Sequence, residues 1–90
     1  MFSALTRWLE RRREIRARWQ ADARSLILND ERGAYYQAQR MAARSRVQGS
    51  MNEFIHWTKV AAEIARISPV AEMDVAVVQS IVDKELSRKV

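Results

Sequence analysis

His56 is the only histidine of the chain, and there is no cysteine. Nucleophilic catalysis of the Ser–His–Asp kind needs an imidazole held between a hydroxyl and a carboxylate, and no spacing around His56 supplies such a set. Neither a thiolate nor an acid cluster stands at ligand spacing from it, so neither metal binding nor general-base work is expected there. On a helical wheel His56 lies about 100° from the middle of its helix's apolar face, which makes it a surface or flanking residue. Asp30 and Glu31 are neighbours at a helix start, where carboxylates offset the helix dipole. Asp83 and Glu85 are two residues apart and do not share a helical face. Gly33 and Gly49 are the only glycines, too few for a phosphate-cradling loop. The sequence therefore predicts no catalytic, cofactor-binding or metal-binding residue, no enzyme activity and no small-molecule substrate.

A second kind of chemistry is better represented: arginine beside tryptophan. Arg12 follows Trp8 by four residues, and Trp19 follows Arg16 by three. On a helix those spacings let each guanidinium lie over an indole face. Aromatic and arginine side chains of this kind are what interface hot spots favour. Arg7, Arg11, Arg18 and Arg24, with Arg13 on a flank, form a basic edge suited to phosphate contacts.

The element that must position these residues is one helix over Ser3 to Leu28. Leu5, Trp8, Ile15, Trp19, Ala23 and Leu26 recur on one face, with Leu9 and Ile27 widening the stripe. No glycine or proline interrupts the stretch, Ser3 suits the N-cap, and Asn29 is the stop. Arg12 and Arg16 fall inside the apolar arc. At ~1.5 Å per residue the rod is roughly 39 Å long, more than the following helices can cover in one layer. Phe2, Leu5, Trp8 and Leu9 are thus expected to lack partners within the chain, and uncovered apolar patches usually mark interfaces.

The remaining elements are short. A helix over 31–48 is capped by Asp30 and stopped by Gly49. Its small face of Ala34, Ala38, Met41, Ala42 and Ser45 is the expected contact with the first helix, while Tyr36 points away. A third helix over 51–67 opens with Ser50-Met51-Asn52-Glu53, a capping-box pattern. Its stripe is Phe54, Trp57, Val60, Ala61, Ile64 and Ile67, ended by Ser68-Pro69. The tight Gly49-Ser50 junction makes the second and third helices an antiparallel hairpin. A fourth helix spans 75–88 from an Asp74 cap, with the β-branched run Val75 to Val78 leaving an intermolecular strand as the rival reading. The expected core is Trp19, Leu26, Ala38, Met41, Trp57, Val60, Ile64 and Val78.

Ninety residues allow one domain with a modest core. No run approaches the ~18 apolar residues of a membrane span. Met1 to Leu9 lacks a charged start followed by a long apolar core, so no secretory signal is expected and the default compartment is the cytoplasm. The net charge of +5 is uneven, with +4 in residues 1–24, +2 in 25–50 and −1 in 51–90. That asymmetry suits an anionic partner, although interleaved acids dilute it. Phe2, Leu5, Trp8 and Leu9 opposite Arg7 and Arg11 also fit a helix lying on an anionic membrane surface.

Trp19, Asp22-Ala23, Leu26-Ile27, Ala34-Tyr35, Ala38, His56-Trp57, Val60-Ala61 and Glu63-Ile64-Ala65-Arg66 form a pattern. It resembles small uncharacterised helical proteins of alphaproteobacteria. The likeness covers about residues 8–67 and leaves out the tail after Pro69. It implies a helical fold and a bacterial origin, and it assigns no site residues.

The sequence therefore predicts an all-α domain: a long N-terminal helix on an antiparallel hairpin, with a shorter C-terminal helix. The expected function is non-catalytic protein–protein assembly, foremost self-association, through Phe2, Leu5, Trp8, Leu9, Arg12 and Arg16. Nucleic-acid binding by Arg7, Arg11, Arg13, Arg18 and Arg24 is the alternative, and membrane-surface binding the third.

Overall fold

The structure, a computed structural model, describes residues 3–89. Phe2 lies outside the described residues. Four helices follow one another: α1 (Ser3–Asn29), α2 (Ala34–Val47), α3 (Met51–Ile67) and α4 (Val75–Lys89). The fold is all-α. α2 is the hub, packing against all three other helices; α4 rests on α2 alone, and α1 leans on α3 more than on α2. The small face of α2 is thus not mainly the seat of α1, as its composition suggested. Its alanines also admit α4, because each short side chain lets two neighbours approach the same axis.

The core joins α1, α2, α3 and the following linker: Ala23, Ala34, Ala38, Val60, Ala61, Ile64 and Ala71 are buried. Trp19, Leu26, Ile27, Tyr35 and Trp57 pack half-buried around it. Of the expected core, Ala38, Val60 and Ile64 are buried outright, whereas Met41 and Val78 are half-buried outside this cluster. Outside this cluster α4 packs on α2, where Ile81 of α4 and Ala42 and Ala43 of α2 are buried.

The helix junctions carry the topology. α2 begins at Ala34, later than the 31 expected, because residues 31–33 form a turn. There the Asp30 carboxylate accepts from Gly33 N–H at 3.3 Å and closes the turn, not the helix. At the other end of α2, Ser50 N–H donates to Ser45 C=O at 2.9 Å and Gly49 N–H to Arg46 C=O at 3.1 Å. This is a Schellman closure, and it needs the left-handed φ of +79° that Gly49 adopts. It also explains why the Ser50–Glu53 capping box does not form. The Ser50 N–H that Glu53 would have accepted is already used, and Ser50 makes no side-chain cap bond. α3 starts instead on backbone alone, Phe54 N–H to Ser50 C=O at 3.0 Å.

Residues 68–74 are tied to the α1–α2 turn. Ser68 Oγ donates to Glu31 at 2.7 Å, Glu72 N–H to Arg32 C=O at 3.0 Å, and Asp74 N–H to Tyr36 Oη at 2.8 Å. Tyr36, which points away from the small face of α2, thus anchors the linker. Asp74 caps α4, accepting from Ala76 N–H at 2.8 Å. Residues 75–89 are helical throughout, which disposes of the strand reading. Buried Glu85 holds α4 to α2 through Arg44 at 3.3 Å, with Arg88 at 3.9 Å.

Candidate interaction surface on the first helix

α1 divides at Arg18. Residues 3–18 are all exposed, whereas Trp19, Gln20, Asp22, Ala23, Leu26 and Ile27 are partly or fully buried. At ~1.5 Å per residue, 27 helical residues make a rod of about 40 Å, and the two helices that pack on it, α2 and α3, bury side chains only in its distal half. The overhang shows in the dimensions. The chain measures 50 × 34 × 19 Å, and its radius of gyration is 15.0 Å against the ~12 Å of a compact chain this long.

The arm keeps its apolar stripe in the open: Leu5 is 57 % exposed, Trp8 54 %, Leu9 43 % and Ile15 44 %. Arg12 places its guanidinium 5.0 Å from the Trp8 ring, as the spacing predicted. The second expected pair does not form. The cation over Trp19 is Lys59 of α3, at 5.6 Å, and not Arg16. Trp19 lies where α1 meets α3, so its face is presented to the neighbouring helix rather than along its own. Arg16 is exposed on the arm.

Where the arm leaves the bundle, it is pinned. His56 Nε2 lies 2.6 Å from Asp22 Oδ2, with the histidine side chain only 10 % exposed. Its sequence position marked His56 as a surface or flanking residue and gave it no role. The two residues are 34 positions apart, and no local spacing signals that two helices will bring them together. Near the same root lies Glu63, a buried carboxylate held below the usual carboxylate range. The Arg66 hydrogen bonds lower it most, burial opposes them, and the Arg66 charge, a Gln20 hydrogen bond and the Arg24 charge lower it further. Gln20 and Arg24 belong to α1, so this carboxylate lies close to the root of the arm.

The arm and the start of α3 enclose a groove of about 770 Å³. Arg7, Arg11 and Arg18 line one wall with Glu10 and Glu14, while Lys59, Asn52, Ile55 and His56 line the other. The structure thus brings three arginines of the basic edge together with a lysine that sequence periodicity left out. Arg13 and Arg24 are exposed but do not line this groove. Among the described residues no three His, Asp or Glu side chains gather as a metal site would require, and no helix is long and apolar enough to cross a membrane.

Comparison of the chain with protein families, with curated proteins and with solved structures finds no match. The functional reading therefore stands on the geometry of the arm.

Proposed function

We propose that the protein is a non-catalytic assembly module that joins copies of itself through the proximal half of α1. One observation carries this reading: Leu5, Trp8, Leu9 and Ile15 stay exposed on a helix whose distal half is firmly packed. An apolar stripe of this length costs about 25 cal/mol for every Å² left in water, and association removes that cost. The pinned root supports the reading, because a rigid arm loses little conformational freedom when it docks. Light scattering across a concentration series tests it. The expected result is a mass above the 10.5 kDa of one chain, reverting to 10.5 kDa in Leu5→Asp with Trp8→Asp. A wild-type chain that stays monomeric at every concentration refutes it.

A second reading, nucleic-acid binding, is favoured by Arg7, Arg11, Arg18 and Lys59 sharing one groove. Glu10 and Glu14 line the same groove and would face the phosphates, which places this reading second. A mobility shift with mixed DNA or RNA at low salt supports it, and its absence there removes it.

A further inference from the structure

Two arms of this kind are poorly matched to each other. Residues 3–18 hold six arginines against Glu10 and Glu14, a net of +4. Arg12 and Arg16 lie within the apolar stripe itself. Laying two such stripes side by side brings like charges into one interface, where each juxtaposition opposes association.

A better-matched surface lies elsewhere on the molecule. Between Arg66 and Lys84 the chain has no Lys or Arg, and it has Glu72, Asp74 and Asp83, so residues 67–83 carry −3. The same stretch exposes large apolar side chains: Val70 at 48 %, Met73 at 45 % and Val75 at 81 %. These occupy the linker and the first turn of α4, so grease and acid are interleaved over a few consecutive residues. The shoulder is held in shape by the three bonds of Ser68, Glu72 and Asp74 to the α1–α2 turn and to Tyr36. Glu72 does face Arg32, but at 3.6 Å and with both side chains more than half exposed. So exposed a pair adds little to stability and gives way readily to another arginine.

The arm and the shoulder of one chain do not meet. α1 makes no contact with α4 among the described residues, and the Asp22–His56 pair fixes the direction in which the arm leaves. We infer that the arm of one copy docks on the acidic, apolar shoulder at residues 70–83 of a second copy. Leu5, Trp8 and Leu9 meet Val70, Met73 and Val75, while Arg12 and Arg16 meet Glu72 and Asp74. The interface is heterologous, so each docked copy still offers a free arm or a free shoulder, and association proceeds to a ring or an open chain. This inference rests on the arm being a self-association surface.

Complementation between two damaged chains tests it. The arm variant is Leu5→Asp with Trp8→Asp. The shoulder variant is Glu72→Gln with Met73→Gln and Val75→Gln, all at exposed positions, with folding checked by circular dichroism. Sedimentation velocity is expected to show wild type growing beyond a dimer and each variant alone as a monomer, its apparent Kd raised at least about tenfold. An equimolar mixture is expected to give a dimer that grows no further, since it holds one intact arm and one intact shoulder. Salt is expected to weaken the wild-type assembly, because it screens opposite charges. A shoulder variant that still assembles, a mixture that stays monomeric, or assembly strengthened by salt overturns head-to-tail docking while leaving arm-to-arm pairing. A monomeric wild type overturns both.

Discussion

Replacing Trp8 by alanine should separate the stability of the fold from the strength of assembly. Within the chain, the Trp8 ring meets the Arg12 guanidinium at 5.0 Å and is otherwise half in water. An exposed cation–π contact contributes ~0.5–1 kcal/mol. Alanine recovers up to ~0.7 kcal/mol in helix propensity, so the two changes nearly cancel. The unfolding free energy of the isolated chain is therefore expected to move by less than ~0.5 kcal/mol. Assembly is different. A tryptophan presents ~150–250 Å², and 54 % of Trp8 is exposed. Docking would thus remove roughly 80–135 Å² from water, about 2–3 kcal/mol at ~25 cal/mol per Å². Losing that contribution raises the dissociation constant about 30- to 150-fold. Urea unfolding at a concentration where the chain is monomeric measures the first quantity, and sedimentation velocity measures the second. A loss of ~2 kcal/mol or more in monomer stability would show that Trp8 packs inside its own fold, contrary to the argument.

Ile64, fully buried among the core alanines, is the opposite case: Ile64→Ala is expected to cost ~2–5 kcal/mol in urea unfolding, far more than any arm substitution. Gly49 sits at a φ of +79° with open space around its Cα, so Gly49→Ala is expected to cost ~1–2 kcal/mol from backbone strain alone, read as a lowered Tm. Glu63, held below its ordinary 4.5 chiefly by Arg66, contributes stability that is fully present above pH 4.5 and is lost as the pH falls through its lower folded value. The gap in unfolding free energy between wild type and Glu63→Gln is thus expected to shrink on acidification below pH 4.5, and an unchanged gap would mean that the Glu63 charge adds nothing to stability.

The helices, their order and the exposed arm were legible in the sequence, because they depend on local periodicity and on length. A stripe such as Leu5, Trp8, Ile15, Trp19 announces a helical face whatever packs on it, and a ~1.5 Å rise makes a long stripe outreach shorter neighbours. The Trp8–Arg12 contact was legible for the same reason, since both residues lie on one helix. What the sequence could not determine were the meetings between elements. Lys59 over Trp19, Asp22 against His56, and Tyr36 under Asp74 join residues 34 to 40 positions apart, and which pairs meet depends on how closely the alanines let the axes approach. Competition for single backbone groups was equally hidden: the Schellman closure at Gly49 takes the Ser50 N–H that a capping box requires. Periodicity assigns a side chain to a face, but only the packed structure decides what that face meets. A hydrogen-bond donor can be used once, and a helix surface is shared among several neighbours.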